Sequence, residues 1–125
     1  MIIMNYKLDL NNRPFQAIKV GTKKIEGRVP TSKNKIPYKK LKRRDTLTFK
    51  NNLTKELMMV KIIYVKHYPN VKKMLEREGV QNVLSSGGTI DDGIKSYNKF
   101  SEYKKNIPKY GIYAIKVKRI VDVTI

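Results

Sequence analysis

The sequence predicts an α+β chain: a small mixed β-barrel flanked by short helices. Strand-like stretches are several and short, whereas helix-like stretches are few, which favours a barrel over a parallel α/β sheet. At 125 residues the chain can bury one modest core but not two, and neither an internal repeat nor a linker divides it, so residues 1–125 are expected to form a single domain.

Each element follows from local pattern. Tyr6, Leu8 and Leu10 alternate with polar residues as in a first strand, and Asn11-Asn12 turns the chain. A short helix follows, with Pro14 in its first turn, Phe15 and Ile18 on one face, and Gly21 placed to end it. Residues 23–28 read as the next strand, and Pro30 to Pro37 as a basic loop. Leu47 and Phe49 mark a third strand, and Leu57 to Val65 a long, mostly apolar one suited to the centre of a sheet or barrel. Asn70 can cap a helix whose apolar face is Val71, Met74 and Leu75, with Gly79 as its stop. Thr89 and Asp92 form a capping-box pattern that opens a helix through Ile94, Tyr97 and Phe100. Gly111 to Val117 is the last strand, with Tyr113, Ile115 and Val117 on one face.

The net charge is +18, from 28 Lys+Arg against 10 Asp+Glu, and it is unevenly placed. Between Arg13 and Arg44 there are twelve basic residues and one acid, Glu26, a local charge of +11. The densest part, Lys33, Lys35, Lys39, Lys40, Lys42, Arg43 and Arg44, has no acid at all. Such clustering favours phosphate-rich partners, chiefly nucleic acid, because each neutralised phosphate releases condensed counterions; an anionic membrane surface is the weaker alternative. Part of the charge has a second source, since the excess of lysine over arginine and the richness in Asn and Ile match what an AT-rich genome imposes on its proteins.

Several chemistries are excluded. Cysteine is absent, which removes disulfides, thiolate metal sites and a cysteine nucleophile. His67 is the one histidine, beside Tyr68-Pro69 at the end of a strand, so a histidine-based metal site lacks partners and a structural or solvated role is expected. No cofactor and no metal are expected. Met1-Ile2-Ile3-Met4 is too short for a signal peptide and no apolar stretch approaches spanning length; a cytoplasmic, monomeric protein without membrane contact is the expectation.

The best candidate site is Gly21-Thr22-Lys23-Lys24-Ile25-Glu26-Gly27-Arg28. A strand alternates its faces, so Lys24, Glu26 and Arg28 are expected to project together, with Lys23 at or just after the turn at Gly21. The cluster suits a polar, anionic ligand; a surface ladder of salt-bridged charges explains the octamer equally well. Ser85-Ser86-Gly87-Gly88 resembles a phosphate-wrapping loop only loosely, because the spacing and lysine of a P-loop are missing, and an ordinary helix connection is the simpler reading.

Taken in order, several stretches resemble the ASCH domain family. They are Phe15-Gln16-Ala17-Ile18-Lys19-Val20, the Gly-x-Lys-x-x-Glu-x-Arg octamer, Asp45-Thr46-Leu47-Thr48-Phe49, Met74-Leu75-Glu76-Arg77-Glu78-Gly79-Val80, Tyr97, and Gly111-Ile112-Tyr113-Ala114-Ile115. The resemblance runs from about residue 5 to about residue 119 and is nearest to small stand-alone archaeal members. It implies a barrel similar to the PUA fold and a cleft, lined by the octamer, for RNA or a nucleotide-like ligand. Where the family commonly has Gly-Asp before the third strand, this chain has Arg44-Asp45, which strains the turn or adds a cation at the rim.

Some bacterial members resembling this family deacetylate acetylated cytidine with a lysine, a threonine nucleophile and a glutamate. Their lysine falls on Lys23 and their glutamate on Glu78, but Glu26 stands where the threonine would be, and a carboxylate does not replace an attacking hydroxyl. Two functions follow. One is an RNA- or nucleotide-binding module using Lys23, Lys24, Glu26 and Arg28 in the cleft, Lys39, Lys40, Lys42, Arg43 and Arg44 along the backbone, and Tyr38 as a stacking ring. The alternative is a small hydrolase, an amidohydrolase or ribonuclease, with Lys23 and Glu78 catalytic. A basic accessory protein of ribonucleoprotein particles is a third, plainer possibility.

Overall fold

The structure, a computed structural model, describes residues 2–121; residue 1 and residues 122–125 at the ends of the expected domain lie outside it. The elements are β1 (Asn5–Leu10), α1 (Asn12–Val20), β2 (Ile25–Arg28), β3 (Thr46–Asn51), β4 (Leu57–Tyr68), α2 (Val71–Glu78), α3 (Val80–Val83), α4 (Ile90–Asn98), α5 (Tyr103–Tyr110) and β5 (Ile112–Arg119), with a 3-10 turn at Tyr38–Lys40. One five-stranded sheet has the order β1-β3-β4-β5-β2, parallel between β1 and β3 and antiparallel elsewhere. It curls into a half-barrel.

Two apolar layers use the two faces of β5. Tyr113, Ile115 and Val117 join Leu47, Phe49, Val60 and Ile62 inside the curl, with Phe15 and Ile18 of α1 closing one end. On the other face, Ile112 and Ala114 pack with Ile25, Met74, Leu75 and Tyr97 beneath the helices. A strand buried on both faces reads as a continuous apolar run, and β5 does so from Ile112 to Ile115. In β4 the pairing with β5 shifts between Ile62 and Tyr64, a bulge that lets the strand bend around the curl.

The curl stays open between its edge strands. β1 and β2 share no ladder; the side chain of Arg28 bridges them by donating from Nη2 to the Asp9 carbonyl at 2.8 Å. This open seam becomes the mouth of the cleft described below.

Several boundaries differ from the sequence reading. β2 begins at Ile25 and not at residue 23, because the N–H groups of Gly21, Thr22 and Lys23 all donate to the Ala17 carbonyl, holding that stretch under the end of α1. Gly21 has φ +90°, the left-handed cap its position promised. β4 runs on to Tyr68, beyond Val65. The capping box of Thr89 and Asp92 is formed, but α4 stops at Asn98, leaving Phe100 outside the helix. α5 has no clear signature: it carries Pro108 inside it, and its cap residue Glu102 sits at φ +72°.

Arg44 also has positive φ, +81°, in the turn before β3, a backbone conformation that favours glycine. The turn persists because buried Asp45 accepts hydrogen bonds from Met4 N (3.1 Å) and Lys42 N (3.2 Å). Relief of the left-handed strain outweighs the extra chain entropy, so Arg44→Gly should raise the free energy of unfolding by about 0.5–1 kcal/mol. Asp45→Ala leaves two N–H groups short of partners and should lower it by about 2–3 kcal/mol. Urea denaturation midpoints test both signs; a destabilised Arg44→Gly would contradict the strain.

Candidate functional site

Glu26 lies in β2 opposite Ile115 and Arg28 opposite Tyr113, so both side chains point to the inner side of the curl, at the seam. Arg28 Nε donates to Glu26 Oε2 at 2.7 Å. Lys23 arrives from the turn below: its Nζ lies 3.3 Å from Glu26 Oε1 and donates to the carbonyls of Ile25 (2.5 Å) and Val83. An ammonium has three protons, and these three acceptors engage all of them. Lys23 and Glu26 are both buried, at 4% and 7% exposure.

Burial dominates the titration of Lys23 and pulls its pKa below the ordinary lysine value, with Glu26 opposing. For Glu26, burial pushes upward, but Arg28 and then Lys23 outweigh it and hold the carboxyl below its usual range. Glu26 is therefore an ionised hydrogen-bond acceptor and a poor general base near neutral pH. Two cations against one carboxylate leave the cluster with one excess positive charge when Lys23 is protonated.

β2 forms the floor of a cleft of about 600 Å³. One wall is the end of β1 and the start of α1, with Asp9, Asn11 and Arg13; the other is Leu84, Ser85 and Ser86 with Ser96, Tyr97, Phe100 and Tyr103. Phe100, 50% exposed and tilted against Tyr103 at 5.3 Å, is an open aromatic surface at this wall. Gly27 is required beneath Tyr97, since a Cβ there would lie 2.9 Å from Tyr97 Cζ.

Of the residues chosen from sequence, Lys23, Glu26 and Arg28 come together and line the cleft. Lys24 does not join them: it is exposed just ahead of the first paired residue of β2, where alternation no longer directs it inward, and it lies outside the lining. Glu78 is not beside Lys23. It is buried at the end of α2, where its carboxylate accepts from the hydroxyls of Tyr64 and Tyr68, and it does not line the cleft. Burial and this carboxylate raise both tyrosines, Tyr68 to about 12.

Tyr38 offers no free ring for a base, because it is 3% exposed, stacked on Tyr113 at 5.5 Å, and accepts from Asn34 Nδ2 at 2.9 Å. Lys39 and Lys40 line a separate groove, while Lys42, Arg43 and Arg44 are exposed and line neither cavity, so Arg44 adds no cation to the cleft rim. Sequence reasoning missed Arg13, Phe100 and Tyr103 as cleft residues. Ser85 and Ser86, in the loop that reads as an ordinary helix connection, also line the cleft.

The folded carboxyl of Glu26 binds its proton less readily than the unfolded one, so its stabilising effect is complete above the ordinary carboxylate value of about 4.3 and fades as pH falls towards the folded value. Glu26→Gln strands two buried cations and should cost about 3–5 kcal/mol at neutral pH. That gap should hold down to about pH 5 and shrink as pH falls from there towards about pH 3, as the parent loses what the variant already lacks. Urea unfolding of both proteins across this range measures it, and a gap independent of pH would contradict the ionised Glu26.

Comparison with known proteins agrees with this architecture. The ASCH domain family model matches residues 8–121. The chain is similar to the crystal structure of the hypothetical protein PH0355, at 32% identity and TM-score 0.79, covering 94% of this chain and 100% of that one. It is likewise similar to the solution NMR structure of protein PF0455 from Pyrococcus furiosus, at 29% identity and TM-score 0.68, covering 94% of this chain and 98% of that one. No curated protein matches. With the family model spanning nearly the whole chain and the curled sheet shared with these two structures, the chain belongs to the ASCH domain family.

Proposed function

We propose that the protein binds single-stranded RNA, or a nucleotide-like ligand, in the cleft floored by β2. The observation that carries this reading is the buried Lys23–Glu26–Arg28 cluster at the base of an open, aromatic-walled cleft. Two of the five N–H donors of Arg28 are engaged, by Glu26 and the Asp9 carbonyl, which leaves three for a phosphate or a base edge. Glu26 keeps acceptor capacity for a nucleobase amine. Phe100 supplies a face for stacking, and the hydroxyls of Ser85 and Ser86 suit a sugar or phosphate. Outside the cleft, the exposed cations from Lys33 to Arg44 make no ion pair among the described residues, and Lys24 adds to them; they are free to track a phosphate backbone.

Binding should weaken steeply with salt, with the slope of about four to eight phosphate contacts. Arg28→Gln and Phe100→Leu should each cost about 1–3 kcal/mol of binding free energy, measured by fluorescence anisotropy with unstructured RNA after circular dichroism has verified the fold. A merely electrostatic surface would lose affinity with Arg28→Gln and ignore Phe100→Leu. That outcome favours the basic-accessory reading.

Hydrolysis has less support. Lys23 spends its three protons on structural acceptors, Glu78 is held by two tyrosines away from the cleft lining, and no hydroxyl occupies the position of Glu26. Incubation with acetylated cytidine, without added metal, should give no release of acetate above a Lys23→Ala control. Turnover abolished in both Lys23→Ala and Glu78→Gln would make the protein an amidohydrolase.

A further inference from the structure

A second groove, larger than the cleft at about 870 Å³, lies between the Pro30–Leu41 segment and the end of α5. Lys39 and Lys40 line it from the 3-10 turn and Lys109 from α5, and among the described residues no carboxylate lines it. None of the three lysines has an acidic partner within 4.0 Å among the described residues. The floor is stiff. Tyr38 stacks on Tyr113 and His67 tilts against the same ring at 4.9 Å, while His67 Nε2 lies 2.7 Å from the Tyr110 carbonyl and fixes the backbone there. Above this floor the ring of Tyr110 is 51% exposed. Cations from two elements that line one groove with a half-exposed tyrosine offer what a single nucleic-acid strand needs: phosphate neutralisation beside a stacking surface.

The groove and the cleft are lined by neighbouring stretches of chain. Thr31 and Tyr103 line the cleft, whereas Pro30 and Tyr110 line the groove. Tyr103 and Tyr110 are the two ends of α5, a span of about 10 Å at the helical rise of 1.5 Å per residue. Asn106 Nδ2 donates to the Pro30 carbonyl at 2.8 Å, which pins the loop to the middle of α5, between the two cavities.

We infer that this groove is a second subsite for single-stranded RNA, with Tyr110 stacking on a base and Lys39, Lys40 and Lys109 holding phosphates of the nucleotides that flank the one in the cleft. The inference rests on the RNA-binding reading of the cleft, but it names different residues and is separable by experiment.

Labelled oligouridylates of about four and about twelve nucleotides, lengths that bracket one and two subsites, are titrated by fluorescence anisotropy. Wild type should prefer the longer strand. Tyr110→Leu, at an exposed position, should weaken the longer strand about tenfold and leave the shorter one unchanged. Joint Lys39→Gln, Lys40→Gln and Lys109→Gln should lower the salt slope of the longer strand by about two to three and spare the shorter. If both groove variants leave the longer strand unaffected, or weaken both lengths equally, the second subsite is overturned. If Arg28→Gln changes neither length while the groove variants still weaken the longer one, the groove stands and the cleft reading falls.

Discussion

Glu26 holds the seam of the half-barrel together. Its two oxygens take one cation from the turn after α1 and one from β2 itself, and each cation reaches on to a third element: Lys23 to the carbonyl of Val83 in α3, Arg28 to that of Asp9 in β1. Three stretches distant in sequence, namely β1, the turn that runs into β2, and α3, are thus tied together through one carboxylate. Buried ion pairs are weak evidence for net stability, since desolvation offsets most of the attraction. Their geometric consequence is stronger, because every proton of the lysine and both oxygens of the carboxylate constrain where neighbouring backbone can sit.

That constraint explains why the cleft opens where it does. A curled sheet with five strands leaves two edges, and unpaired edges are a liability unless something covers or bridges them. Here a guanidinium spans the gap between β1 and β2, with helices and serine-bearing loop arranged around it. A side-chain bridge closes the fold without closing the surface. Donors of Arg28 that a regular ladder would not provide remain available to a ligand, and the absent side chain at Gly27 lets Tyr97 lie across the strand as part of the wall.

Charge and aromaticity divide the surface into regions with distinct chemistry. The cleft combines a buried ionic floor with Phe100, while the groove at the end of α5 combines three lysines with Tyr110. The remaining cations between Lys33 and Arg44 are solvated and undirected, suited to attraction at long range and less to recognition. The total charge of +18 therefore says less than its placement.

The sequence by itself determined the elements whose signals are local. Gly21 ends α1, Asn70 caps α2, the Thr89–Asp92 box opens α4, and alternating apolar residues mark β1, β3 and β5, because caps and periodicities act within a few residues of themselves. It also marked the octamer that carries Lys23, Lys24, Glu26 and Arg28 as the candidate site. Only the tertiary structure decided which neighbour of Glu26 is buried: alternation nominated Lys24, but the backbone of residues 21–23 is still folded onto the end of α1, and Lys23 is the lysine turned inward. The same holds for Tyr38, drawn into the core by Tyr113 across the curl, and for Glu78, claimed by two tyrosines of β4. The walls of the cleft and the helix α5 were equally out of reach, since contacts between residues tens of positions apart leave no periodic trace in the chain that makes them.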